Sequence, residues 1–279
     1  MHWKQQSVTC RLYLCIVYAL AIPSAWFCLS SIEVLGSDWI ILTVISVFVA
    51  TINIRLPKIS SVISMGDVFV ILALLRFGPG PALLTYWIDI TAAHFSDVFR
   101  KSGIRGRVLL HRFLFNLGCC ALSTSAMSAS LSLVSGLHLS PSVALLASLL
   151  SVALSWFVVN TTTVSLAISF WMNQSFRSVW QEGLNLYLLN FVGSAAASGL
   201  IEVFSQRVGV LVSVLLVPIG VVFFYLYSFY VTKYEQAKKH VADLEKLYMQ
   251  TIEAMASAVD AKDRSEEHTS ELQSRTLIS

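Results

Sequence analysis

Long apolar runs separated by short polar segments fill the first 231 residues of the chain. A bilayer-spanning helix needs about 20 mostly apolar residues, each rising about 1.5 Å. Eight runs meet or approach that length: Leu12–Ser30, Trp39–Ile54, Val62–Phe77, Pro81–Val98, Val108–Ser135, Pro141–Met172, Gly183–Val203 and Val208–Val231. The pattern predicts an all-α fold, a polytopic transmembrane helix bundle of about eight spans. The sixth run is over-long. It must tilt, break near Asn160 and Thr161–Thr163, or extend past the bilayer.

The period changes after Val231. Ala237, Val241, Leu244, Tyr248, Ile252, Met255 and Val259 recur at spacings of 4-3-4-4-3-4, an apolar stripe along one helix face. Two eleven-residue repeats of this kind give a nearly straight or slightly right-handed supercoil. Glu235 and Lys239 add an i,i+4 pair of favourable order. The expected element is a cytoplasmic signalling helix able to carry displacement out of the membrane. Its stripe calls for a partner: the same 237–259 helix of a second copy, giving a homodimer, or the bilayer surface. The expected division is a transmembrane sensor region over 1–231, a linker helix over 232–263 and a separate tail over 264–279.

Composition sharpens the picture. The chain is 56% hydrophobic and 13% charged, about half the charge of an ordinary soluble domain. Most of that charge lies between the apolar runs or after Thr232, so the principal partner is the lipid bilayer. A net charge of +3, with the aromatic residues inside apolar runs, provides no nucleic-acid surface. Leu12–Ser30 is too long for the apolar core of a signal peptide, and further spans follow it. Cys10, Cys15, Cys28, Cys119 and Cys120 form no CxxC pair and have no histidine at ligand spacing; they read as small apolar fillers.

Lysine and arginine set the orientation, because cytoplasmic loops are enriched in them. Lys4 and Arg11 precede the first run, whereas Glu33 and Asp38 follow it without a base. Arg55 and Lys58 come next, then the uncharged Gly78-Pro79-Gly80. Arg100, Lys101, Arg105 and Arg107 then precede a segment around Gly136–Ser140 that has no base. Arg177 marks the sixth connection, Arg207 breaks the alternation, and Lys233, Lys238 and Lys239 follow the last run. The alternation predicts a multi-pass membrane protein with both termini cytoplasmic.

Ionisable residues inside the runs are the candidates for chemistry. A charged side chain at mid-bilayer costs about 2.5–3.5 kcal/mol on insertion scales, so Asp89 and His94 should face the bundle interior. Asp67, Arg76 and Asp97 fall nearer the interfaces. The turn at Gly78–Pro81 would return two helices as a tight pair. Two readings stand side by side. In one, Asp89 with Arg76 or His94 lines a ligand-binding pocket for a small molecule. In the other, Asp89 pairs within the bundle while Arg76 and Asp97 reach to the headgroups. Asn116, Asn160, Thr161–Thr163, Asn185 and Asn190 read as inter-helix hydrogen-bonding groups, and the small residues Gly193–Gly199 as a close helix contact.

Three segments resemble known sequences. The first, Leu247-Tyr248-Met249-Gln250-Thr251-Ile252-Glu253-Ala254-Met255-Ala256-Ser257-Ala258-Val259-Asp260-Ala261-Lys262-Asp263, is similar to the opening helix of HD-GYP domains. These are metal-dependent phosphohydrolases, many acting on cyclic di-GMP. Met255 and Val259 depart from the usual phrase, both conservatively. The resemblance implies a parent protein of a bacterial inner membrane with an HD-GYP phosphohydrolase output holding divalent metals. The family's ligands lie beyond its opening helix, and neither a His-Asp dipeptide nor Gly-Tyr-Pro occurs in this chain. Metal-bound water needs several such ligands, so no catalytic residue, metal ligand or cofactor is expected in this fragment, and no enzyme activity. The second, Arg264–Ser274, resembles the translation of a short-read sequencing adapter. The resemblance implies a non-native tail from Arg264 onward and a chain truncated at the start of the HD-GYP domain. His268 and the neighbouring glutamates are accordingly not expected to bind metal.

The third, Met65–Val68 with Leu74–Ala82, Asp89 and Asp97, is similar to a pattern in substrate-binding subunits of energy-coupling-factor vitamin transporters and in some bacterial membrane sensors. The expected function is a sensory module relaying to a cyclic di-GMP phosphohydrolase. The alternative is a membrane transporter or its substrate-binding subunit, which has no need of the 237–259 stripe. The charge alternation predicts that a periplasm-active phosphatase reporter works when fused after Leu137 and fails after Lys239. Activity at both positions would contradict the orientation.

Overall fold

The computed structural model describes residues 8–50, 54–55, 62–63, 66–100, 106–209, 222, 225–226, 229–230, 232–234 and 236–257. They are almost wholly helical, as the apolar pattern predicts. The elements are α1 (Val8–Leu29), α2 (Ser37–Ala50), α3 (Asp67–Phe77), α4 (Pro79–Arg100), α5 (Gly106–Ser135), α6 (Pro141–Met172) and α7 (Phe176–Val208). A two-residue antiparallel pairing, β1 (Ile54–Arg55) with β2 (Val62–Ile63), interrupts the series. The third run therefore does not begin as helix at Val62; its helix starts at Asp67, after the strand pairing.

Among the described residues three helices are long and apolar enough to cross a membrane: Val8–Leu29, Leu110–Ser135 and Pro141–Met172. Ser37–Ala50 is apolar but shorter. The eighth run, Val208–Val231, lies mostly outside the described residues, and the tail, Lys4, Lys58, Lys101 and Arg105 lie outside them altogether. The helix α6 is continuous from Pro141 to Met172, which excludes the break near Asn160 and leaves tilt or extension. Thr163 Oγ1 donates to the Val159 carbonyl 2.6 Å away, so its hydroxyl is satisfied within an unbroken turn. Asn173 in the left-handed conformation ends α6, its N–H bonding the Ser169 carbonyl.

The chain divides into two compact units, 1–222 and 223–279, a boundary earlier than Val231. In the first, Val70, Ile71, Leu72, Ala73 and Leu74 of α3 are buried on every side, the mark of a central helix. Around it the outer helices carry apolar residues outward. Val143, Leu146, Leu150, Leu154 and Val158 make one exposed stripe on α6, and Leu12, Ile16 and Leu20 another on α1. Such stripes suit hydrocarbon and not water. In the second unit, residues 236–257 are helical and every described residue is exposed, Val241, Leu244, Tyr248, Ile252 and Met255 of the stripe included.

The turn between α3 and α4 depends on two glycines. Gly78 has φ of 86°, open to glycine at little cost. Gly80 lies against the end of α1, and its N–H bonds Ser31 Oγ at 3.1 Å. A Cβ at Gly80 would overlap the Ile32 side chain and come within 2.8 Å of the Cys28 carbonyl oxygen. Gly193, by contrast, has open space around it. Gly80→Ala should therefore destabilise the bundle by about 1–3 kcal/mol, read as a lower melting temperature in detergent. Gly193→Ala should not lower it, and equal effects of the two would contradict this packing.

Candidate functional site

Two polar seams run through the apolar bundle, each between a pair of helices pointing the same way. The first joins α2 to α4. Trp39, Thr43 and Ser46 stand at helical spacing on α2 and face Pro81, Thr85 and Asp89 on α4. Trp39 Nε1 donates to the Pro81 carbonyl at 3.1 Å and to Thr85 Oγ1 at 3.0 Å. Thr43 and Thr85 share a hydroxyl hydrogen bond of 3.0 Å. Ser46 Oγ donates to Asp89 Oδ2. Matched order along both helices shows that α2 and α4 run parallel.

The second seam joins α3 to α7. Asn190 Nδ2 donates to Asp67 Oδ2 at 2.8 Å, and Ser198 Oγ donates to the Val68 carbonyl at 2.8 Å. Arg76 Nε lies 2.9 Å from Glu202 Oε2, an ion pair held by charge without the alignment of a directed hydrogen bond. The other oxygen, Glu202 Oε1, accepts from Gln206 Nε2 at 2.9 Å. Again the partners ascend together, so α3 and α7 are parallel. The small-residue run does the job expected of it: Ser194 and Ser198 are buried, and Gly199 sits against Leu149 of α6.

The three candidate residues have three different partners. Asp89 is only 4% exposed and is held by Ser46. Arg76 pairs with Glu202 rather than reaching for headgroups. His94 stacks on Phe113, ring centroids 4.8 Å apart. Five residues separate His94 from Asp89 on α4, a rotation of about 140° that sends the two side chains to different faces. The sequence reading missed Glu202, which sits inside the seventh run with only its charge to mark it. It also set Asp67 near an interface. Asp67 and Asp89 each lie ten residues from the ends of the α3–α4 turn, Phe77 and Pro79, hence at matching depth about 15 Å along either arm. The side chain of Asp97 lies outside the described residues.

Aromatic rings close the space beside these carboxylates. Tyr86, one turn before Asp89, meets Trp156 edge-on at 5.4 Å; Trp156 meets Phe191, next to Asn190, at 5.2 Å. Tyr86, Cys120, Trp156 and Phe191 belong to one buried core. Asp89 Oδ1 is buried and has no hydrogen-bond partner. Among the described residues no three His, Cys, Asp or Glu side chains come together as a metal site. None of Cys10, Cys15, Cys28, Cys119 and Cys120 is in a disulfide; Cys15 is exposed and the other four are buried.

No known protein family, curated protein or solved structure matches this chain.

The Arg76–Glu202 pair gives a direct energetic test. Glu202→Gln leaves the guanidinium half-desolvated and should cost about 2–4 kcal/mol. In a double-mutant cycle, Arg76→Gln with Glu202→Gln should recover part of that loss in thermal unfolding. Simple additivity of the two single variants would contradict a coupled pair.

Proposed function

We propose that this chain is the membrane-embedded sensory module of a bacterial signalling protein, with about eight spans, both termini cytoplasmic and an exit helix that relays to an HD-GYP phosphohydrolase acting on cyclic di-GMP. The observation that carries the reading is the second unit. Its helix over 236–257 has every residue exposed and bears an apolar stripe that leads into the phrase Leu247–Asp263. A helix of this kind is only marginally stable alone in water and gains most of its stability from a packed partner. A second copy of the same helix is the partner proposed, so the module works as a homodimer.

The bundle supplies the input. Asp89 and Asp67, held by Ser46 and Asn190, tie α4 to α2 and α3 to α7. A ligand or stimulus that changes either pairing shifts the seams that fix neighbouring helices, and displacement of the last helices reaches the exit helix. A two-state bundle responds to a ligand only as far as the two states bind it differently. Divalent metals belong to the output domain, and no catalytic residue is proposed for this chain.

The unpartnered oxygen of Asp89 keeps a second reading open, that of a transporter or its substrate-binding subunit, since a buried acceptor also suits a transported solute. One experiment separates them. The uninterrupted source gene, read through the codon for Asp263, is expressed in membranes and assayed for metal-dependent hydrolysis of cyclic di-GMP. Activity abolished by chelation is the expected result. A gene that ends at Ser279, with solute uptake in vesicles and no hydrolysis, would replace the sensor by the transporter.

A further inference from the structure

The charge inventory around Asp89 does not close. Asp67 and Asp89 stand at matching depth on the two arms of one helical hairpin. Each receives one neutral donor, the Asn190 amide and the Ser46 hydroxyl. Among the described residues neither is paired with a cation: Arg76 is committed to Glu202, and His94 lies on Phe113. A carboxylate in an apolar interior stays ionised only beside a counter-charge. One oxygen, Asp89 Oδ1, is still open in a residue 96% buried, complementing its 4% exposure.

The surroundings say what kind of cation would fit. Metal ions need several oxygen, nitrogen or sulfur ligands, and no such group occurs among the described residues. Aromatic faces beside carboxylates instead recognise organic ammonium, through ring quadrupoles on one side and charge-assisted hydrogen bonds on the other. Tyr86, Trp156 and Phe191 form a continuous aromatic wall. Tyr86 is on α4 one turn from Asp89, and Phe191 follows the asparagine that holds Asp67.

We infer that the interior between α3, α4, α6 and α7 is a binding site for a small organic ammonium ion, which donates to Asp89 Oδ1, is neutralised by Asp89 and Asp67, and packs on Tyr86, Trp156 and Phe191. The inference names the chemical class of the input and rests on the sensory reading only for its consequence, not for the binding itself. It differs from a pocket built on Arg76 or His94, which would attract anions or hydrogen-bonding neutral solutes. Ser46 acts as a positioning residue, since its hydroxyl fixes the carboxylate plane and leaves Oδ1 as the free acceptor.

The test uses the full chain in lipid nanodiscs, with ethylammonium, methylammonium and sodium chlorides at equal ionic strength as probes. Tryptophan fluorescence and thermal unfolding report binding. Ethylammonium or methylammonium should saturate a change in fluorescence and raise the melting temperature, while sodium does neither. Asp89→Asn should weaken the ammonium effect at least about tenfold, and Asp67→Asn, which keeps the orphan acceptor, should weaken it less. Should Asp89→Asn fail to fold, Asp67→Asn and the wild-type chain still decide. No response to either ammonium ion, an equal response to sodium, or an unchanged response in a folded Asp89→Asn variant would overturn the site. Binding without any change in phosphohydrolase output of the longer protein would leave the site standing and remove the relay.

Discussion

Polar groups placed in an apolar helical bundle have to find their partners inside it. Lipid offers none, and water reaches them only through defects. That constraint accounts for the arrangement of α2, α3, α4 and α7. Trp39, Thr43 and Ser46 are matched in order by Pro81, Thr85 and Asp89, and Asp67, Val68 and Arg76 by Asn190, Ser198 and Glu202. Apolar packing brings helices together without fixing their register, since one leucine slides past another at little cost. A matched series of hydrogen bonds does fix it, because a shift of one turn would orphan several buried groups at once, each at about 1–3 kcal/mol.

The same constraint explains why α3 can be central though short. Eleven residues are too few to cross a bilayer, yet its middle is buried on all sides by the helices around it. Its ends carry Asp67 and Arg76, both satisfied by α7. A short helix buried in protein needs no lipid-facing length, and the strand pairing before it can sit at its mouth without exposing backbone to hydrocarbon. The turn at Gly78 then returns the chain as α4, with the two aspartates level with each other.

Much of the fold was legible in the sequence. Pro141–Met172 appeared at both its limits, because a proline at the first helical turn and a left-handed asparagine after the last are local signals. The start of α3 was not legible: Val62 and Ile63 are as apolar as the helix that follows, and hydropathy does not distinguish strand from helix over two residues. At the site, Asp89 stood out because a lone acid in an apolar run must be accommodated. Its partner Ser46 did not, being one serine among many, and Glu202, the partner of Arg76, had only its charge to mark it. Arg76 and His94 were grouped with Asp89 by proximity in sequence, whereas helix phase sends His94 elsewhere and distance across the fold gives Arg76 to Glu202. Pairing between α3 and α7 spans more than a hundred residues of chain, and no local pattern encodes it.

The register of the polar seams is the claim on which the site and the relay both rest, and disulfide trapping measures it most directly. In a background with the five native cysteines replaced, Asp67→Cys with Asn190→Cys should cross-link rapidly in native membranes under mild oxidation, whereas Asp67→Cys with Asn160→Cys should not. Cross-linking of the second pair in place of the first would mean that α3 does not lie along α7, and the account of the interior would fall with it.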